Sequence, residues 1–194
     1  MSTTLDETFC LTPFVPARIP VDLYHRMLAA GVFDEGPRYE LLDGLLVEKM
    51  TKSPLHSVVT QLCQQAVSTR LSTTWHVRNQ ELVTFDDSEP EPDLAVVRGR
   101  PIDFIDHHPG PGDLAIAIEI AESSLAIDRR KSMIFARNQV PHFWIVNLPE
   151  QCVECFAEPT ADAYLRRQTF RISDSLPIIQ DITTEAIPVV HLFS

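Results

Sequence analysis

The sequence predicts a mixed α/β domain in which helices pack on a central β-sheet. Two short apolar runs bounded by proline and glycine, 92–97 and 114–121, are typical of buried strands. Other segments, such as 124–137, repeat their apolar residues at the period of a helix. The predicted order is hairpin, helix, strand, strand, helix, strand, which favours an α/β or α+β sheet. The length of 194 residues suits one core better than two, so we expect a single domain over 1–194.

The first part of the chain contains an arm, a short helix and a hairpin. Residues 1–18 contain prolines and are expected to form an extended N-terminal arm. Apolar residues at helical spacing predict a short helix over 21–30. Residues 38–50 are predicted to form a β-hairpin with Asp43-Gly44 as its turn, because this dipeptide is the strongest short-range hairpin signal.

The predicted hairpin carries an acid on its apolar face. In this register Glu40 shares a face with Leu42, Leu45 and Val47. An acid among aliphatic side chains is out of place, so Glu40 becomes a secondary candidate for a functional site. The alternative, which the sequence favours equally, is that this end of the face meets solvent.

A longer helix is predicted to follow, over 53–71. Its buried stripe is predicted to contain Leu55, Val58, Val59, Leu62, Ala66 and Leu71. His56 lies in the first turn, near the border of this stripe. A lone histidine in such a position is more often structural than a ligand.

The remaining segments are predicted to be strands and one loop. Residues 75–85 are a strand candidate because they are rich in β-forming side chains. Residues 98–112 are rich in glycine and proline and are predicted to form a loop, in which His107-His108 is more readily explained as solvated than as metal-binding. Further strands are predicted at 143–148, 152–157, 165–172 and 186–192.

Each of the two buried strands carries a single carboxylate. Because side chains alternate along a strand, Asp93 and Glu119 each share a face with small residues. The opposite face of the second strand is predicted to hold Leu114, Ile116, Ile118 and Ile120. A buried carboxylate without a partner is costly, so each acid requires a pairing, a proton or a metal ion.

A lysine follows these acids on the predicted helix 124–137. Lys131 falls on the same stripe as Ile127, Ile134 and Phe135, so it is predicted to face inward. A lysine that faces inward just after the strand of Glu119 is a candidate partner for both acids.

Several segments carry motifs that are specific in their order and spacing. They are EPEPDLAVV (89–97), IEIAESSL (118–125), DRRK (128–131) and FWIVNL (143–148), with YELLDG (39–44) and SPLH (53–56) upstream. In this combination the chain resembles the Uma2 family of the PD-(D/E)xK nuclease superfamily over residues 39–159. His56 lies within one of these motifs, so it becomes, with Glu40, a secondary candidate for the functional site. It implies a restriction-endonuclease-like core and a metal-dependent endonuclease that hydrolyses phosphodiester bonds of DNA.

The resemblance also implies roles for individual residues. Asp93 and Glu119 would hold Mg²⁺ or Mn²⁺, together with a backbone carbonyl near Ile120, and hard oxygen ligands suit these ions. Lys131 would orient or help deprotonate the attacking water, or stabilise the phosphate charge. The superfamily usually has its lysine two residues after the second acid, where this chain has Ala121. Lys131 is therefore expected to replace it from the helix.

Composition limits the partners. The net charge of −11 and the pI near 5.0 oppose tight nonspecific DNA binding, although a local basic patch remains compatible with them. No apolar run approaches the roughly 20 residues that span a membrane, and the N-terminus does not resemble a signal peptide. We therefore expect a cytoplasmic protein without a membrane partner. A homodimer is expected because two-fold dimers are the commonest oligomers.

Three alternatives to the DNA endonuclease stay open on the sequence. The chain could be a noncatalytic binding or structural protein that retains the nuclease fold. It could instead be a metal-dependent hydrolase of a small phosphorylated substrate, which an acidic surface tolerates better than duplex DNA. Finally, Glu119 and Lys131 could form a simple buried ion pair, with Asp93 capping a turn.

Overall fold

The computed structural model describes residues 16–194, so nearly all of the predicted N-terminal arm lies outside the described residues. The helices are α1 (Val21–Ala29), α2 (Pro54–Ser68) and α3 (Leu125–Arg137). The strands are β1 (Tyr39–Leu42), β2 (Leu45–Glu48), β3 (Trp75–Asn79), β4 (Leu94–Arg98), β5 (Leu114–Ala121), β6 (His142–Asn147), β7 (Cys152–Pro159), β8 (Tyr164–Arg171), β9 (Ser175–Leu176) and β10 (Ile187–Pro188). Short 3₁₀ turns occur at Pro101–Phe104, Pro111–Asp113 and Val189–Leu192.

A six-stranded mixed sheet forms the centre of the fold. Its strands are ordered β3-β4-β5-β6-β7-β8. Neighbours pair antiparallel except for β5 and β6, which are parallel. A parallel pair needs a crossover connection, and α3 supplies it. The predicted mixed α/β class is confirmed.

The two longer helices cover opposite faces of this sheet. On one face, Val59 and Cys63 of α2 pack with Ile116 and Ile118. On the other face, Phe135 of α3 belongs to a second core cluster of alanine, aliphatic and phenylalanine side chains. The sheet is thus buried on both faces along β4, β5 and β6.

The β1–β2 hairpin has the predicted turn and register. Asp43 and Gly44 both have positive φ angles, 52° and 71°, as a two-residue type I′ turn requires. Glu40 pairs with Val47 across the strands, so the acid lies on the face predicted for it. A hydrogen bond from the hydroxyl of Tyr24 to the carbonyl oxygen of Tyr39 (3.0 Å) attaches α1 to this hairpin.

A β-bulge changes the predicted faces at the start of β5. The β4–β5 register shifts between Val96 and Val97, so that Val97 lies opposite Leu114 and Ala115 is the extra residue. Leu114 therefore packs on the α3 side and Ala115 on the α2 side, the reverse of the prediction. Downstream of the bulge the predicted alternation holds.

The predicted buried stripe of α2 is correct at Val59 and Ala66 but wrong at its first turn. Leu55 and Val58 are 54% and 53% exposed, whereas His56 and Thr60 are buried. The buried face of the helix is formed by His56, Val59, Thr60, Cys63, Ala66 and Val67. The helix is rotated toward its polar residues because these find hydrogen-bond partners inside, which hydrophobicity alone does not register.

Two other predicted strands and one predicted buried residue also differ from the structure. The predicted strand 75–85 ends at Asn79, and the following loop still buries Val83 and Phe85. The segment 186–192 is mostly a 3₁₀ turn rather than a strand. Ile127 of α3, predicted to be buried, is exposed.

Among the described residues, none of the helices combines the length and the hydrophobicity that a membrane crossing requires.

Candidate functional site

A small acidic cleft lies where β4 begins and β5 ends. The β1–β2 hairpin and the first turns of α2 and α3 also reach this point. The cleft has a volume of about 80 Å³, enough for a few water molecules or a hydrated ion. Its ionisable lining includes five buried carboxylates and four basic groups: Glu40, Glu91, Asp93, Glu119, Asp128, Lys49, Lys52, His56 and Lys131.

Asp93 is the most highly coordinated of these acids. Its Oδ2 accepts hydrogen bonds from the backbone N–H of Ile120 (2.9 Å) and from Nε2 of His56 (3.1 Å). Its Oδ1 lies 3.2 Å from Nζ of Lys52. Burial alone would raise the pKa of Asp93, but the bond from His56, together with the Ile120 N–H and the charge of Lys52, lowers it to about 2. Asp93 is therefore ionised at neutral pH.

His56 reaches Asp93 because α2 begins at the rim of the cleft. The side chain of Ser53 caps the helix by accepting from the backbone N–H of His56 (3.1 Å), which fixes the first turn. Thr60, one turn later, lies 3.4 Å from Nδ1 of His56. The imidazole is thus held between Thr60 and Asp93, and the structure places this secondary candidate inside the cluster.

Lys131 connects the other two predicted acids. Its Nζ donates a hydrogen bond to Oε1 of Glu119 (3.0 Å) and lies 2.6 Å from Oε1 of Glu40. The second oxygen of Glu40 accepts from the backbone N–H of Glu91 (3.2 Å). Lys131 is buried on the inner face of α3, as predicted. Glu40, the other secondary candidate, lies beside it and does not meet solvent.

The acids of the cleft repel one another. Burial raises the pKa of Glu119, the charge of Lys131 opposes this, and the charges of Asp93, Asp128 and Glu40 raise it further, to about 8. Burial likewise raises the pKa of Asp128 to about 6, against a hydrogen bond from Ser124. The neighbouring Glu119 and Glu40 raise the pKa of Lys131 well above its usual range, despite its burial.

The chemistry of this donor set fits a divalent cation. Carboxylate oxygens are the ligands that Mg²⁺ and Mn²⁺ prefer. Burial is the main cause of the raised pKa values of Glu119 and Asp128, and the neighbouring carboxylates raise them further, so a cation bound beside these acids would lower both pKa values. Within residues 16–194, however, no three His, Cys, Asp or Glu side chains are gathered as they would be around an ion. The oxygens of Asp93 and Glu119 instead contact nitrogen atoms of the protein.

The structure brings all six predicted site residues to one place: Asp93, Glu119, Lys131, Ile120, Glu40 and His56. Ile120 contributes its backbone, while its side chain lies in the core. Four ionisable residues of the lining, Glu91, Asp128, Lys49 and Lys52, were not predicted. Asp128 lies three residues before Lys131, so helical spacing alone indicates that it approaches the same face. No signal in the sequence points to Lys52, which reaches Asp93 from the segment before α2.

Comparisons with known proteins identify the family and the fold of the chain. A sequence model of a family described as "Uma2: Putative restriction endonuclease" matches residues 21–186. No curated protein matches the chain. Among solved structures, the chain is similar to a protein from Anabaena variabilis described as "a putative nuclease belonging to DUF820". The TM-score is 0.70 at 16% identity, over 90% of this chain and 97% of that one, which shows a shared fold.

Proposed function

The chain belongs to the Uma2 family, and from that premise we propose that it is a Mg²⁺- or Mn²⁺-dependent endonuclease that hydrolyses phosphodiester bonds of DNA. The observation that carries this proposal is the meeting of Asp93 and Glu119, from adjacent strands, with Lys131 from the crossover helix. Three charged groups from three different elements converge in one buried cleft. Burying charged groups is costly, and clusters of buried ionisable groups in clefts are common at functional sites.

Asp93 and Glu119 would hold the cation, with the backbone carbonyl near Ile120 as a further ligand. When bound, the cation supplies a more acidic water and neutralises phosphate charge. The hydrogen bonds between the two strands support this assignment. The backbone N–H of Ile120 positions Asp93, and the N–H of Asp93 lies 3.4 Å from Oε2 of Glu119, so the two carboxylates are tied to each other's strands.

Lys131 would act as a hydrogen-bond donor. Its Nζ is held between oxygens of Glu119 and Glu40, which is the environment of an ammonium group rather than a free amine. An ammonium group orients a water molecule or stabilises charge that develops on a phosphate oxygen. Glu40 would keep Lys131 in position without contacting the substrate.

Cleavage of supercoiled plasmid DNA tests this proposal. We expect nicking or linearisation with Mg²⁺ or Mn²⁺, none with a chelator, and loss of cleavage in Asp93→Asn, Glu119→Gln and Lys131→Ala. Glu122→Gln is the matched control, because Glu122 is an exposed carboxylate on the rim of the same cleft. Cleavage that persists in all three variants would place the activity elsewhere.

A noncatalytic protein with the same fold is the second candidate. It is favoured by one observation, that Lys131, His56 and Lys52 pair with the acids that would hold the ion. This candidate predicts no divalent-ion binding and no effect of Asp93→Asn on the protein's cellular role. Salt-sensitive binding of duplex DNA would separate the nuclease from a hydrolase of small phosphorylated substrates.

We also propose that the protein acts as a homodimer in the cytoplasm, since two copies related by a two-fold axis suit the cleavage of two strands. Light scattering coupled to gel filtration measures the mass directly. A mass near twice the 21.9 kDa of the chain is expected, and a single-chain mass in the presence of DNA contradicts it.

A further inference from the structure

An apolar cleft lies on the α2 side of the central sheet, where β6, β7 and β8 meet the segment 177–180 that follows β9. It has a volume of about 310 Å³ and shares no lining residue with the acidic cleft. This volume falls at the lower end of the range of small-molecule sites, which is about 300–1,000 Å³. Nothing in the proposed nuclease mechanism uses this apolar cleft.

The walls of the apolar cleft are aromatic and aliphatic. The side chain of Trp144 is 2% exposed and belongs to the core cluster on this face. Phe170 and Ile179 pack against the same cluster, and Ile178, which also lines the cleft, remains 58% exposed. Because burial of apolar surface is favourable, a ligand with an apolar ring would be stabilised against these side chains.

The lining also contains hydrogen-bond donors without partners. The indole N–H of Trp144 donates no hydrogen bond among the described residues, although a buried indole N–H usually has an acceptor. Within the same part of the chain, the side chains of Arg166 and Gln168 form no hydrogen bond or ion pair. No aspartate or glutamate from residues 16–194 lines the cleft, although the chain contains 27 acids. This set of donors suits an acceptor that carries negative charge.

The guanidinium group of Arg166 is the one full charge that the described residues contribute to this lining. His142, Ala157 and Arg166 lie side by side across β6, β7 and β8. Burial and the charge of Arg166 lower the pKa of His142, so its imidazole is neutral at pH 7. Trp144 and Gln168 lie two residues further along the strands on the same face, which is a distance of about 7 Å. A ligand that reaches both rows therefore carries its anionic group close to an aromatic ring.

We propose that this apolar cleft binds a small aromatic carboxylate, with its ring against Trp144 and Phe170 and its carboxylate group on Arg166. The apolar walls favour such a ligand over phosphate or another inorganic anion. A second copy of the chain fits less well, because a stable dimer interface buries about 1,200–2,000 Å², far more than a cleft of this size offers. The site is separate from the acidic cleft, so the proposal holds whether or not the protein is a nuclease.

Calorimetric titration of the full-length protein with 2-naphthoate tests this proposal, beside 2-naphthylmethanol, which has the same rings and no charge. We expect one site per chain that prefers the carboxylate by about 10-fold, the effect of one charge-assisted hydrogen bond. Arg166→Gln should reduce this preference to about 2-fold or less. Arg171→Gln is the matched control and should leave it unchanged. Arg171 is also exposed on β8, but it lies five residues further along and therefore on the opposite face.

Two further measurements make the outcome decisive. Ala157→Phe places a ring in the middle of the cleft and should weaken 2-naphthoate binding at least about 10-fold, because the rings of the ligand lose their contacts. If that variant does not fold, Arg166→Gln, at an exposed position, still carries the test. The affinity of the wild type should be the same at low and high protein concentration. A weaker affinity at high concentration would show that a second copy covers the cleft, and the proposal would fail.

Other results would also overturn the proposal. They are no binding of 2-naphthoate by the wild type, equal affinities for the two compounds, full affinity in Ala157→Phe, and an equal effect of Arg166→Gln and Arg171→Gln.

Discussion

The acidic cleft and the surroundings of Glu154 on β7 both bury carboxylates, but they balance charge in opposite ways. Glu154 is 2% exposed and is held by the guanidinium groups of Arg129 and Arg167. In the cleft, Glu40 and Glu119 share Lys131, Asp93 pairs with Lys52 and His56, and Asp128 accepts a hydrogen bond from Ser124 without an ion pair among the described residues. Glu154 thus has two cations to itself, whereas the cleft holds an excess of acid. The difference separates a carboxylate that completes the fold from carboxylates that can accept a further cation.

The largest effect on stability is expected from removing the ammonium group of Lys131 in the acidic cleft. Lys131→Met keeps most of the volume but leaves Glu40 and Glu119 without their shared cation, which should lower the unfolding free energy by about 3–5 kcal/mol at pH 7. Urea denaturation measures this loss. Arg130→Met, an exposed position on the same helix, should change stability by less than about 0.5 kcal/mol. An equal loss of unfolding free energy in both variants would show that the pairing of Lys131 with Glu40 and Glu119 does not stabilise the fold.

The pH dependence of stability should differ between two acids of the cleft. The pKa of Glu119 is raised from 4.5 to about 8, so the folded protein retains a proton that the unfolded chain releases, and stability falls as pH rises from about 4.5 to 8. The pKa of Asp93 is lowered from 3.8 to about 2, so its contribution is present above about pH 4 and is lost as pH falls toward 2.

Metal-free unfolding measured from pH 2 to 9 checks these two signs. Glu119→Gln should flatten the curve on its alkaline side, and Asp93→Asn should flatten it on its acid side. If both substitutions change the same side of the curve, the two carboxylates do not have opposite shifts.

A smaller effect is expected at Glu154. Glu154→Gln keeps the shape of the side chain and leaves Arg129 and Arg167 partly exposed, so that water can replace the lost contacts. We expect a loss of about 1–2 kcal/mol in unfolding free energy, with the affinity for Mn²⁺ unchanged. A weaker Mn²⁺ affinity would show that this region and the cleft are coupled, and the comparison would fail.

The smallest effect on stability is expected at Lys52, whose stem is partly exposed although its Nζ, which pairs with Asp93, is buried. Lys52→Ala should cost about 1 kcal/mol of stability, because Asp93 keeps its hydrogen bonds from His56 and from the backbone N–H of Ile120. It should also strengthen Mn²⁺ binding by a few fold, because it removes a cation that competes for Asp93. Calorimetry on Lys52→Ala beside Lys49→Ala, whose ammonium pairs with Glu91, distinguishes this from a general change in charge.

Local signals predicted much of this architecture. The Asp43-Gly44 turn defined the hairpin register and with it the face of Glu40. Helical spacing placed Lys131 on the inner face of α3, and strand alternation placed Glu119 on the side of that helix. Each of these inferences depends on residues close together in the chain.

Contacts between distant segments account for the errors. His56 and Thr60 turn inward on α2 because Asp93, 37 residues after His56, accepts a hydrogen bond from the imidazole. Glu154 was not singled out, although, like Glu119, it is an acid within an apolar strand. Only the partners of these two glutamates distinguish them, and the partners come from other elements. The bulge at Ala115 has a similar origin in the pairing of β4 with β5.

Titration with Mn²⁺ by calorimetry tests the central claim most directly, beside Asp93→Asn, Glu119→Gln and Glu154→Gln. The excess of acid in the cleft predicts that the wild type binds the ion, that the first two substitutions weaken binding at least about 100-fold, and that Glu154→Gln does not. Absence of binding by the wild type, even with duplex DNA present, would contradict the claim. The noncatalytic candidate would then account better for the buried cluster.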